Sequence, residues 1–354
     1  MTFTQILSKV ATIYPVQLPP IFTSFWGNFN LLSFDLSVLP LNCVLDSNFH
    51  DRLVFTTVAP LVTIFGIFLT WLSLRQRLLL AGGDNLQASI SALTSKAIRL
   101  AVMLLFTVFP MVSTTIFQTF QYDQRLEDGS AYLVVDYSIQ RNDPSHTSYV
   151  VYASVMSILY CFGIPAVSWF VLYTKRDQIQ QLQVLSESLA KLEKGDLLEH
   201  QRDAEQGSSH QRRKTVLLNH LVAEVTGQLS EPTNRADMKL SFLRMEASLK
   251  AGDPWLVGLS PLYTDYESEY WWFEIPKFIS TLVFCALITM VPADGASQVF
   301  ISLIVSIGMM VLLGNTRPYS NSSDDLLAQI CQTSLTFSML VGLLELASLE
   351  FQVT

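Results

Sequence analysis

Half of this 354-residue chain is hydrophobic and only 15% is charged, with a mean hydropathy of +0.35. That composition is too apolar for an ordinary soluble domain and places the chain in a bilayer. The formal charge of -8 excludes a strongly basic nucleic-acid binder, and Cys161, Cys285 and Cys331 lie inside apolar runs, which excludes an intrachain disulfide framework.

Residues 1–51 carry the aromatics Phe22, Phe25, Trp26, Phe29 and Phe34, interrupted by Pro19, Pro20, Asn28, Asn30 and Asp35. The run from Phe22 to Val44 is long enough to span, but its polar breaks favour an outer, interfacial segment. The start lacks the basic and apolar blocks of a secretory signal, which leaves two readings: the first span is itself the insertion signal, or this is the membrane end of a longer protein.

Three spans fill residues 52–174: Leu53–Leu74, Ala97–Phe117 and Tyr149–Tyr173, each about 21 to 25 residues. Pro60, Pro110 and Pro165 lie inside them. A mid-helix proline removes one hydrogen bond and kinks the helix, so these positions are either packing kinks or hinges beside a conduction path. Between the first two spans Arg75, Arg77 and Lys96 outnumber Asp84, which assigns that loop to the cytosol. The acidic loop from Gln118 to Ser148 is poor in Lys and Arg and faces outward; its acids match no EF-hand spacing.

Residues 175–270 read as a cytosolic helical region. Lys175 and Arg176 mark the crossing, and Leu182, Leu185, Leu189 and Leu192 recur at 3-4-3 spacing. That pattern fits an amphipathic helix docked on its own chain, or self-association through residues 176–194. Gly195–Lys214 reads as a polar linker, and helices are predicted over Thr215–Leu229 and Asp237–Lys250.

Residues 271–349 hold three further spans. The aromatic cluster Tyr263, Tyr266, Tyr270, Trp271, Trp272 and Phe273 precedes the fourth and predicts a collar at headgroup depth. Glu274 and Pro276 suit a helix start, and Glu274 is expected to pair with Lys277 at i,i+3 or with Arg99. An apolar run of about 17 to 21 residues follows, just enough to cross. The fifth span runs from Ala296 to Gly314 and the sixth from Leu326 to Ala347, with a tight turn at Pro292–Gly295 and Arg317 on the cytosolic side. The fold class expected is an all-α integral membrane protein of about six transmembrane helices plus a small cytosolic helical subdomain, with both termini outside.

Catalytic, cofactor and metal sites are not expected. Gly258-Leu259-Ser260 lacks the closing glycine of a GxSxG nucleophile motif, no histidine falls inside a span, and no metal ligands cluster.

Leu262, Tyr263, Tyr266, Tyr270, Trp271, Trp272, Phe273 and Glu274 together resemble the signature of a protist family of multi-pass membrane proteins, catalogued as TRP-like (transient receptor potential, C-terminal domain) or as G-protein-coupled-receptor-related. Three further blocks are similar to that family in the same order. The outer loop carries Gly129, Tyr132, Leu133, Asp136 and Tyr137; the third span carries Tyr160, Gly163, Ile164 and Pro165; the sixth span is preceded by Arg317, Pro318 and Tyr319 with Asp325. Many relatives bear cysteines where this chain has Tyr122 and Arg141, so the outer-loop disulfide that the resemblance implies is absent here.

Two functions stand open. One is a TRP-like signalling or ion-conducting channel module. The other is a non-conducting receptor or scaffold coupling the outer loops to a cytosolic partner. The implied partner is the lipid bilayer, with a plasma-membrane location.

Overall fold

The computed structural model describes residues 48–82, 85–123, 131–194, 235–285, 287–290 and 296–353. The interfacial segment 1–47, Gly129, the linker 195–214, the helix Thr215–Leu229 and the turn 292–295 lie outside the described residues.

Long apolar stretches become long helices because lipid supplies no partner for a backbone N–H, so each segment must satisfy its own. In chain order these are α1 (Phe49–Ala81), α2 (Leu86–Gln118), α3 (Pro144–Ser157), a π-helical turn (Ile158–Phe162), α4 (Gly163–Lys194), α5 (Arg235–Gly252), α6 (Pro254–Gly258), α7 (Glu274–Cys285), α8 (Ala296–Thr316) and α9 (Ser322–Val353). Among the described residues, five stretches are long and apolar enough to cross a membrane: Phe49–Ala81, Leu86–Gln118, Pro144–Ala190, Ala296–Thr316 and Ser322–Ala347. Phe65, Val151, Ile158, Phe300 and Leu344 are exposed on these helices, as side chains facing acyl chains must be. The fourth expected span is a shorter object. α7 has 12 residues, about 18 Å of helix, and a 3-10 turn follows at Leu287–Met290.

The described residues form two compact units. One takes residues from Met1–Gly66, Met103–Trp169 and Glu274–Thr354, the other from Ile67–Val102 and Phe170–Phe273.

In the first unit the loop expected to face outward holds a small antiparallel sheet ordered β1-β2-β3: β1 (Tyr122–Asp123), β2 (Tyr132–Leu133) and β3 (Asp136–Gln140). Composition and charge did not reveal it, because strands of two to five residues leave little periodicity. Leu133 and Ile139 bury against Phe49 at the start of α1. Asp136 accepts from the Ser138 hydroxyl at 2.6 Å, the Ser138 amide at 3.1 Å and the Phe49 amide at 3.3 Å. These donors, the Ser138 hydroxyl foremost, hold its carboxyl below the usual range. Asp143 caps α3 by accepting from the Ser145 amide at 3.0 Å, with Pro144 in the first turn.

The three span prolines each have a local partner. Pro165 cannot donate to the Cys161 carbonyl, and the turn just before it widens to the π form. A Cβ at Gly163 would lie 3.2 Å from the Ile158 carbonyl oxygen, so the smallest residue sits where the wide turn closes. From that turn Tyr160, 1% exposed, donates to the Thr57 carbonyl at 2.7 Å, one turn ahead of Pro60. Thr57 in turn meets the Tyr152 hydroxyl at 2.6 Å. Tyr160→Phe is expected to lower unfolding stability by about 1–2 kcal/mol, read as a shifted denaturation midpoint in detergent, because one buried donor is deleted. In α2, the Thr114 hydroxyl lies 2.7 Å from the Pro110 carbonyl and 2.8 Å from that of Cys285, the last residue of α7. α8 and α9 pack along their length, and α7 packs on α8.

In the second unit, Trp71 donates to Thr94 at 3.1 Å, and Lys175 pairs with Asp253, which caps α6. Three leucines of the repeat are buried: Leu182, Leu185 and Leu189 are 7%, 0% and 8% exposed. That burial is what the docked-helix reading requires. The predicted helix Asp237–Lys250 appears within α5.

Candidate functional site

Two arrangements stand out as candidate sites, and the first of them concentrates residues singled out from the sequence. The first is the aromatic stretch after α6. Its members are largely interior: Leu262, Tyr263 and Tyr266 are each 2% exposed, and Phe273 is fully buried. They form a packed knot. Amphipathic rings can bury when their polar tips find partners, and here they do. The Tyr263 hydroxyl donates to the Leu256 carbonyl at 2.6 Å. Burial pushes its phenol well above the ordinary value.

Gln183 of α4 ties the knot. Its amide nitrogen donates to the Tyr263 carbonyl at 2.7 Å and to the Tyr266 carbonyl at 2.8 Å. Trp271 lies 6.3 Å from the Tyr173 ring, and Tyr266 lies 5.5 Å from Phe273. Tyr270 and Trp272 form an edge contact at 6.4 Å. Arg99 donates to the Val257 carbonyl at 3.2 Å, so the cation proposed for Glu274 is used at the knot's base. Glu274 instead pairs with Lys277 at 3.0 Å, the i,i+3 alternative.

The second arrangement is a polar seam between α8 and α9. Gln298, Ser302 and Ser306 recur every fourth residue and are almost fully buried. Ser306 meets the Thr336 hydroxyl at 2.7 Å, and the Gln332 amide donates to the Ser306 hydroxyl at 3.0 Å and carbonyl at 3.1 Å. The seam offers neutral hydroxyl and amide oxygens within two otherwise apolar helices. A helix-period scan for Ser, Thr and Gln would have found it; a search confined to charged residues passed over it. No group of three or more metal-ligating side chains occurs among the described residues.

The remaining motif residues have structural partners. Asp325 accepts from the Tyr319 amide at 3.1 Å and closes the short link between α8 and α9. Arg317 adopts a left-handed φ of 43° where α8 ends, its amide donating to the Leu313 carbonyl at 3.1 Å; Pro318 then bars further helix. In the sheet, Tyr137 donates to Asp123 at 3.0 Å, and Tyr132 and Leu133 supply β2. The Arg141 guanidinium stands 5.1 Å from the centre of the Tyr122 ring, a cation-π contact.

Long apolar helices, lipid-facing side chains and interhelical hydroxyl bonds define a multi-span integral membrane protein. Residues 254–349, from α6 into α9, match the family described as transient receptor potential (TRP) ion channel, which is the likeness expected from the aromatic motif. No curated protein and no solved structure matched the chain.

Proposed function

We propose that this chain is a TRP-like, channel-type membrane module that passes cations along the seam between α8 and α9. The observation that carries the reading is the coincidence of the TRP match with the helices holding Ser302, Ser306, Gln332 and Thr336. Neutral oxygens in a dry setting replace hydration water without binding an ion so tightly that it cannot leave. The positive-inside bias of Arg75, Arg77 and Lys96 supports a cytosolic loop between α1 and α2 and, two crossings later, a cytosolic 175–270 region.

Whole-cell recording tests this directly. Cells expressing the chain are expected to carry a cation current that Ser306→Leu reduces about tenfold or more by filling the seam with hydrocarbon. A chain that reaches the surface and carries no current returns the reading to its rival, a non-conducting receptor. One observation favours that rival: the seam groups bond to one another, and the link from Thr316 to Ser322 is too short for a re-entrant filter loop.

A further inference from the structure

Two histidines that no function above uses, His50 and His146, meet beneath the sheet; the structure places both in the first turns of membrane-crossing helices, against the expectation that no histidine falls inside a span. His50 on the first turn of α1 and His146 on the first turn of α3 place Nε2 and Nδ1 3.0 Å apart. The other nitrogen of His146 lies 2.8 Å from the Tyr122 hydroxyl of β1. His146 is fully buried, and His50 stacks on Tyr149 with centroids 4.0 Å apart. Both rings precede the apolar runs that open at Leu53 and Tyr149.

We propose that His50 and His146 form a proton-binding latch that holds the sheet-side ends of α1 and α3 together at neutral pH and releases them on acidification. With both rings neutral, Tyr122 donates to His146 Nε2, and His146 Nδ1–H donates to His50 Nε2; every contact has one proton. One added proton is tolerated. The chain reverses, His50 donating from Nε2 to His146 Nδ1, and His146 from Nε2 to the Tyr122 oxygen. A second added proton is not tolerated. Both facing nitrogens then carry hydrogen, and two cations face each other at hydrogen-bond distance.

The charged groups packed around the pair set where this happens. Asp51 of α1, Asp136 of β3 and Asp143 at the cap of α3 favour cationic rings, whereas Arg141 stacked on Tyr122 and burial oppose them. A latch that accepts one added proton and not a second is closed above the ordinary imidazole range near about pH 6.5 and weakens as pH falls below it. Phe49, Leu133 and Ile139 pack next to the pair, so release loosens the sheet.

Hydrogen–deuterium exchange of the full chain in lipid nanodiscs tests the latch without reference to conduction. Amides of residues 48–53, 131–143 and 144–149 are expected to exchange about tenfold faster at about pH 5 than at about pH 7.5, after correction for intrinsic chemical exchange. The same excess is absent in His146→Gln, whose amide accepts from Tyr122 and donates to His50 but cannot titrate. If that variant misfolds, His50→Gln carries the same expectation at a less buried position. A wild-type chain with no excess acceleration overturns the proposal, as does an equal acceleration in the folded glutamine variants.

Discussion

Gln183→Glu is expected to destabilise the second unit by about 3–5 kcal/mol at neutral pH, the largest effect of any single polar substitution in it. Glutamine meets two backbone carbonyls with the two hydrogens of one amide nitrogen. A carboxylate in its place has only acceptors and faces two more acceptors in a buried site. The variant recovers part of the loss by keeping a proton, so its carboxyl is raised above the unfolded value. A raised carboxyl makes the folded form more stable at low pH and less stable as pH rises. The denaturation midpoint in detergent, followed through Trp271, is therefore expected to climb between about pH 8 and about pH 5. Gln183→Leu removes both donated hydrogens without adding charge, and about 2–3 kcal/mol of loss with no such pH slope is expected. Equal, pH-independent losses in both variants would show that Gln183 matters only for its volume.

Gly258→Ala is expected to cost about 3 kcal/mol or more, at the upper end of overpacking effects. A Cβ there would lie 2.6 Å from both Cβ and Cγ2 of Ile98 and 3.3 Å from the Ser95 carbonyl oxygen. Ile98 is β-branched, and its Cβ sits next to the α2 backbone, so it cannot swing aside. Ile98→Ala removes Cγ2 and leaves Cβ, so in a double-mutant cycle it rescues Gly258→Ala only in part. Thermal unfolding of the four proteins in one detergent measures the coupling, and full additivity would refute the close approach. The residue that fails as the start of a serine-nucleophile motif thus has a packing duty.

The spans were legible because hydrocarbon imposes one demand, about twenty apolar residues in a self-satisfied helix, and that demand shows in composition. α1, α2, α3 with α4, α8 and α9 follow it. α7 is described over 12 residues and a 3-10 turn over Leu287–Met290, so the fourth span is not one long described helix. The aromatic stretch was legible as a cluster, but its burial was not. Tyr and Trp at a headgroup surface and Tyr and Trp in a hydrogen-bonded interior have the same letters; what separates them is a partner such as Gln183, 80 residues away from Tyr263. The same distance in sequence hid the histidine pair, whose members are 96 positions apart. Local pairs fared better: Glu274 with Lys277 follows from helix periodicity alone.

Thr114 has one hydroxyl proton and two oxygens that want it. Given to Pro110, it favours a bend in its own helix; given to Cys285, it stitches α2 to α7. The two outcomes exclude each other at any instant. A ligand, lipid or voltage that tugs on either helix would therefore be felt in the curvature of the other, through a linkage one atom wide.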